Sequence, residues 1–586
     1  MSDYRRHFLC VMHKRTIFLL YVWHLAVAPR QHQEEDSERI VNAVRNGKVP
    51  LLNEPPGFGK TLTVINAVVE LMGTEDVVLI VTPTKKLAQY WAREIEKSGV
   101  PLSYAVVIGK KNFTCPLAGD EVRADDPRIV CNLNTPVASK LVNCKYYAPP
   151  LSKSIFELYK PKDVLFEKEY TGLYGSKYVA FSRGSGTCPY YVQFYDMADK
   201  HVVITTIHMA ITMAMRGILP RPSILVIDEV DEVPMATLSE VVIDRELIDT
   251  LFEMARTHVQ SEDGKKKLVE LRYNALRALE SDEKPSKKLY QLSEHLLPLV
   301  KEVLKHAYSD EAIQLSIALT SSLTRNVYAE DGAVKVVIDK SPFIYDIVKN
   351  SKTTILITGS PLDDQSITTI MRYLGISADL EIISSVPYYG KAIYVVKENY
   401  DVITKHNFEL NKTAICAKYS ELADKLLELS QKMFGMRRLY IPVIAYRYIY
   451  DCNFHKKFPG SLDRENKNAI DEFVRGDREV LISAVATRGL SFDKGAVLIM
   501  KKPWPDITSA IVRHIYAQPY GREYVDVYAS AQVLQIISRF LRTQESEVIV
   551  GTLDKRVLES VLIYKRRGGS VYMLNGEIKP FEENLL

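Results

Sequence analysis

The sequence predicts an α/β protein with two parallel sheets in tandem. Three observations carry the prediction: short apolar runs that each lead through a Gly or polar turn into an amphipathic helix, a second run of the same pattern from about residue 375, and two long gaps in the first. With 586 residues the chain exceeds the size of one core, so several domains are implied. Hydrophobic residues make up 47% and charged residues 25%, with a formal net charge of +4, which neither demands nor excludes a polyanionic partner.

The elements follow in order. "PRQHQEEDSERIVNAVRNGK" has helical apolar spacing, and "VPLLNEPPGFGKTLTVINAVVELM" reads strand, Gly/Pro turn, helix, with Leu62, Ile65, Val69 and Met72 on one face. "DVVLIVTPTKKLAQYWAREIEK" repeats it, and "SILVIDEVDEVP" and "TTILITGSPLDD" add two buried strands ending in polar residues. More than a hundred residues separate the second strand from "SILVIDEVD", and a similar length precedes "TTILITGS". Loops in compact α/β units run to about 2–6 residues, so both gaps must hold inserted subdomains. The second gap has long helical periodicity. From residue 375 onward "KAIYVVKE", "TAICAKYSELADKLLELSQKMF", "REVLISAVATRGLSF" and "GAVLIMKKPWP" make the second α/β unit.

Seven cysteines in so long a chain do not form a disulfide scaffold, and a reducing compartment is expected. Cys115, Cys131, Cys144 and Cys188 fall in the first inserted segment, whereas Cys10, Cys416 and Cys452 are scattered. Residues 1–28 imitate a signal peptide, but the apolar run is shorter than the roughly 20 residues of a membrane span, and an N-terminal extension or a core element is the preferred reading.

"EPPGFGKTL" carries the parts of a phosphate-binding loop: Gly57 and Gly59 for close backbone approach, Lys60 for the β/γ oxygens and Thr61 for magnesium, at a helix start. Glu54 stands where the usual pattern has a small residue. "ILVIDEVDEV" sets Asp228 and Glu229 at the exposed end of a buried strand, where Asp228 suits magnesium and Glu229 suits the attacking water; a solvated acidic turn is the plain alternative. "SAQVLQIISRFLRTQ" puts Gln535, Arg539 and Arg542 on one helical face, with Gln535 a candidate nucleotide contact and the two arginines either surface ion pairs or cations for a γ-phosphate.

Taken in order from about residue 29, these stretches resemble the XPD/DinG-type helicases of superfamily 2, the iron-sulphur helicases. "PRQHQEE" resembles the adenine-sensing Q motif through Arg30 and Gln33, "EPPGFGKT" motif I (with Phe58 inside the loop), "VTPTKKLAQYW" motif Ia, "VIDEVD" the DEAH box, "ILITGSPLD" motif III, "VATRGLSF" motif V and "QIISRFLR" motif VI. The resemblance implies two RecA-like motor domains, the first at 29–110, 201–238 and 331–372, the second at 373–586, with an iron-sulphur domain at 111–200 and a helical Arch domain at 239–330. It also implies ATP and Mg2+, a [4Fe-4S] cluster on Cys115, Cys131, Cys144 and Cys188, and 5′ to 3′ movement of a monomeric motor on single-stranded DNA toward duplex junctions, in DNA repair, in the cytoplasm and without a membrane. Cys131 and Cys144 are farther apart than the family usually has them; structural zinc and unligated core thiols are the alternatives.

The sequence departs from the family at Val230 and Asp231, at Gly359, Ser360 and Pro361, at Ser491 and at Ser538. These are positions that link the nucleotide site to the strand and to the second motor. The alternative function is therefore a remodelling paralogue that binds ATP and DNA and hydrolyses ATP with little unwinding.

Overall fold

The computed structural model describes residues 31–582 apart from 55–56, 75, 127–128, 133–135, 307–309, 321–323, 331, 361, 377–378, 385–390, 485–491, 493 and 542–544. Arg30, Pro361, Ser491 and Arg542, most of the "VATRGLSF" stretch and the N-terminal extension thus lie outside the described residues.

Seven strands form the first sheet: β1 (Val49–Asn53), β2 (Val78–Thr82), β3 (Tyr104–Val107), β4 (Val202–Thr206), β5 (Ile224–Ile227), β6 (Thr353–Thr358) and β7 (Leu380–Ile383). Their order is β7-β1-β6-β5-β2-β4-β3, and every pairing is parallel. Helices α1 (Gln31–Arg45), α2 (Lys60–Leu71) and α3 (Lys85–Ser98) belong to this unit. The run "VLIVT" of β2 is buried at every position, as a parallel strand covered on both faces must be.

The second unit holds β8 (Ala392–Val396), β9 (Leu439–Pro442), β10 (Val480–Ser483), β11 (Gly495–Leu498), β12 (Glu547–Gly551), β13 (Val571–Asn575) and β14 (Glu577–Pro580), in the order β10-β9-β11-β12-β8-β13-β14. Only the edge pair β13–β14 is antiparallel. Its helices include α4 (Lys412–Phe434), α5 (Ala510–Tyr516), α6 (Gly521–Ile537) and α7 (Lys555–Arg566).

Helix α6 belongs to both units. Tyr524, Val525 and Ala531 pack in the core that contains Leu51, Ile227 and Leu356 of the first sheet, whereas Val533, Leu534 and Ile537 pack in the core of the second sheet. One rigid rod therefore fixes the end of α6 relative to both sheets.

Both long gaps are filled. Between β3 and β4 lie a two-stranded ribbon (Thr114–Cys115 with Gly119–Arg123), an antiparallel three-stranded sheet (Leu151–Ser152, Val164–Thr171, Lys177–Arg183) and short helices. Between β5 and β6, the stretch from Leu238 to Asp339 holds the helices Arg245–Arg256, Glu262–Glu280, Pro285–His306 and Asp310–Thr320 on a three-stranded antiparallel sheet of Leu238–Ile243, Ala333–Asp339 and Thr324–Glu330. That sheet is not evident in the helical periodicity, because its strands lie at the two ends of the insertion and pair only after the chain has gone out and back.

Cys416 and Cys452, scattered in the sequence and expected as thiols of a reducing compartment, form a disulfide joining α4 to the end of the helix Tyr446–Asp451. Thirty-six residues separate them in sequence, and the two helices become neighbours only in the fold. Among the described residues no helix is long and apolar enough to cross a membrane.

Candidate nucleotide and thiol sites

The strand order β1-β6-β5 brings the three polar loops side by side at one end of the first sheet. Asn53 pairs in register with Thr358, and Ile227 with Leu356, so the segments that follow β1, β6 and β5 emerge together. Open α/β sheets bind ligands at this end.

The loop after β1 enters α2 through Gly57 (φ 88°) and Gly59 (φ 96°), both in the left-handed region that favours glycine. A Cβ at Gly59 would lie 1.9 Å from Nε2 of Gln33, so this glycine is required twice over. Gln33, buried on α1, donates to the Phe58 carbonyl at 2.8 Å, and the His32 ring lies 4.5 Å from that of Phe58. Lys60 Nζ donates to the Glu54 carbonyl at 2.7 Å, across the mouth of the loop. Thr61 follows in the first turn of α2, whose terminal N–H groups favour phosphate oxygens.

Asp228 and Glu229 follow β5. Burial, then the Glu229 charge, pushes the Asp228 carboxyl up to about 7, while Lys60 and a hydrogen bond from Trp91 Nε1 (2.7 Å) pull the other way. Trp91, fully buried on α3, thus orients the carboxylate that suits magnesium. Sequence reasoning did not single it out; its only signal was a tryptophan in the "LAQYW" helix. Glu229 has φ 53° and ψ 57°, a left-handed conformation that is costly for a side chain with a Cβ and concentrates at functional sites. Its Oε2 accepts from the Gly359 N–H at 2.9 Å. A Cβ at Gly359 would approach Glu229 Oε1 to 2.7 Å, which gives a physical reason for glycine in the "TGS" stretch.

Asp231, where the DEAH pattern has His, is fully buried and accepts from Thr358 Oγ1 at 3.0 Å and Ser360 Oγ at 2.8 Å. Burial and the Glu229 charge raise its carboxyl to about 6. Gln535 Nε2 on α6 donates to Ser360 Oγ at 2.9 Å, and the Tyr524 hydroxyl donates to the Asp231 carbonyl at 3.1 Å. A continuous polar chain therefore runs from the loop after β5, through that after β6, into the second unit. Helix α6 ends at Ile537, so Arg539 lies in the turn beyond it and does not share a helical face with Gln535 as the spacing predicted. Its backbone carbonyl accepts from Phe492 N and its charge acts on buried Tyr440, both in the second unit.

The four clustered cysteines come from four segments: the ribbon strand (Cys115), the 3-10 turn Val130–Asn132 (Cys131), the residue after the helix Val137–Asn143 (Cys144) and the N-cap of the helix Pro189–Met197 (Cys188). All four are free thiols. Burial raises the Cys144 thiol, and the charges of Cys131, Cys115 and Cys188 raise it further, so the four lie within electrostatic reach of one another. Burial also raises Cys188, which Lys110 opposes. Lys110 Nζ donates to Cys131 Sγ at 2.9 Å and to Asn132 Oδ1. Among the described residues, no three His, Cys, Asp or Glu side chains stand at the spacing that holds a metal ion. Four thiols are the donor type that iron-sulphur clusters take.

Parallel sheets in tandem, with a glycine-rich loop and paired carboxylates at the ligand-bearing end of the first, define a two-unit nucleotide-binding fold. The fold is that of the XPD helicases. A structure named XPD helicase aligns with TM-score 0.56 and 16% identity over 93% of this chain and 99% of its own. Xpd4 of S. tokodaii aligns with TM-score 0.58 and 13% identity over 93% and 100%. An apo XPD structure gives 0.52 and 14% over 92% and 100%. The family model for the res subunit of type III restriction enzymes matches residues 26–124. No curated protein matches the chain.

Proposed function

We propose that the protein is an ATP-hydrolysing DNA helicase of the XPD/DinG type, a monomeric motor that moves 5′ to 3′ on single-stranded DNA and parts duplex at junctions, in DNA repair in the cytoplasm. The observation that carries this reading is the chain Asp231–Ser360–Gln535, which joins the carboxylate loop of one sheet unit to the other. A nucleotide site whose neighbouring polar groups span two units can convert hydrolysis into relative movement of those units.

In this reading the Gly57, Phe58 and Gly59 backbone and Lys60 would hold the phosphates, Gln33 and Arg30 would recognise the base, and Thr61 and Asp228 would hold Mg2+. The ion supplies charge neutralisation on the β/γ oxygens when bound. Glu229 orients the attacking water and accepts its proton, with the Gly359 N–H holding the carboxylate in place. Arg539 and Arg542 serve the charge that develops on the γ-phosphate once the second motor closes.

Cys115, Cys131, Cys144 and Cys188 would hold a [4Fe-4S] cluster, which supplies a rigid cross-link of the four segments. The first insertion would then form, with the Arch-like second insertion, the walls of the strand path. The Asp231–Ser360–Gln535 chain supports coupling of the nucleotide site to the second unit, which a helicase and a remodelling paralogue with little or no unwinding would both use. Strand displacement on a duplex with a 5′ single-stranded tail, driven by ATP, tests the reading: a strand-stimulated ATPase without displacement supports the paralogue, and no effect of single-stranded DNA on turnover rejects both.

A further inference from the structure

Outside all the sequence motifs, one guanidinium from the second unit grips the root of the nucleotide loop in the first. Arg567 follows α7. Its Nη2 donates to the Asn53 carbonyl at 3.2 Å and to Ser384 Oγ at 2.6 Å, and its Nη1 donates to the Leu362 carbonyl at 3.1 Å. These acceptors lie on three segments: the last residue of β1, the turn after β6 and the residue that follows β7.

Asn53 is fully buried and itself donates through Nδ2 to the Leu362 carbonyl at 2.8 Å, so the guanidinium closes a ring of hydrogen bonds around the point where β1 becomes the phosphate loop. The next residue, Glu54, offers the carbonyl that holds Lys60. Arg566 adds a 2.7 Å ion pair to Asp363, whose other oxygen caps the helix Asp364–Tyr373.

The position of Arg567 is built in. Its backbone N–H closes α7 on the Ile563 carbonyl, Gly568 takes φ 87°, and a Cβ at Gly569 would meet the Tyr564 ring at 2.0 Å, so "RRGG" can turn only one way here. Arginine suits the task because its rigid planar fork spreads five donors over two terminal nitrogens and Nε, whereas a lysine offers three from a single atom.

We propose that Arg567 is a positioning residue that couples the orientation of the second sheet unit to the nucleotide loop of the first. The coupling rests on the proposed nucleotide site, and linkage makes it reciprocal: whatever orders the loop strengthens the grip, and loss of the grip weakens nucleotide binding.

Two readouts test this on the full chain: the affinity for a fluorescent ADP analogue with Mg2+, and the distance between dyes attached through non-canonical amino acids at exposed Gln89 and Glu428. Arg567→Ala is expected to lower the affinity about 5- to 10-fold, the low end of allosteric couplings, and to broaden the distance distribution. Arg567→Lys should recover part of both, and Ser384→Ala should show a smaller shift in the same direction. A folded Arg567→Ala protein with wild-type affinity and wild-type distances overturns the proposal. A wild-type protein that binds no ADP analogue rejects the nucleotide site instead, and the dye distances then still decide whether Arg567 sets the orientation of the units.

Discussion

Gln535 donates to the Ser360 hydroxyl across 2.9 Å, and Ser360 passes its own proton donor to Asp231 at 2.8 Å, so three residues far apart in sequence form one buried relay. Asp231 replaces the usual histidine, and the relay needs it as an acceptor. Gln535→Ala removes the last link while leaving the nucleotide loop untouched. Its expected effect is loss of most of the strand-stimulated ATPase with ADP affinity within about 2-fold of wild type, and a stability cost of about 1 kcal/mol for one net hydrogen bond. Steady-state ATPase with and without single-stranded DNA checks it.

Gly359→Ala places a methyl 2.7 Å from Oε1 of the Glu229 carboxylate, closer than the two can stand. The side chain must swing away from the Gly359 N–H, and a displacement of about 1 Å at a reacting group can cost on the order of 100-fold. Turnover at saturating ATP should fall by about that factor, with nucleotide binding little changed; equal turnover would count against Glu229 as the water-positioning group.

Lys60→Ala removes the ammonium that stands beside the loop and acts on Asp228. Hydrolysis should fall to background, measured as phosphate release. Retained turnover would refute the loop as the nucleotide site.

Asp228 and Asp231 have carboxyls raised to about 7 and about 6, first by burial and then by Glu229. A raised carboxyl binds its proton in the folded state where the unfolded chain has lost it, so the unfolded state binds fewer protons between about pH 4 and 7. Stability therefore declines as pH rises through that window. The thermal midpoint of the nucleotide-free protein should drop from pH 5 to pH 8, and Asp228→Asn and Asp231→Asn should each flatten the slope. Trp91→Phe removes a hydrogen bond that favours the charged form and should move the Asp228 carboxyl higher still, read as a steeper decline at the alkaline end.

Cys188→Ser removes one of the four free thiols of the first insertion, at the cap of the helix that leads back to β4. Iron and sulphide should fall together in anaerobically purified variant, and duplex separation should fall far more than ATPase, since the thiols lie outside the sheet ends that carry the nucleotide residues. Wild-type protein with neither iron nor sulphide would eliminate the cluster.

Much of the architecture was legible in the residues. Buried parallel strands such as β2 and β5 read as continuous apolar runs, and Gly57, Gly59, Lys60, Asp228 and Glu229 could be picked out because short local patterns carry their chemistry. Even the two insertions were legible, as gaps too long for loops. Arg539 was misplaced on the helix of Gln535 because the helix stops at Ile537, and helix ends are poorly marked where the sequence stays apolar, as in "IISRFL".

What the chain determines by itself is the set of local elements and the chemistry at their ends. Tertiary structure alone decides which ends meet. Strand order puts β1, β6 and β5 side by side, and so makes neighbours of Lys60, Asp228 and Ser360. Trp91 on Asp228, Gln535 on Ser360, Arg567 on Asn53 and the Cys416–Cys452 pair all join residues 36 or more positions apart. Periodicity reports which face of an element is buried and not what buries it, so such contacts leave no local trace.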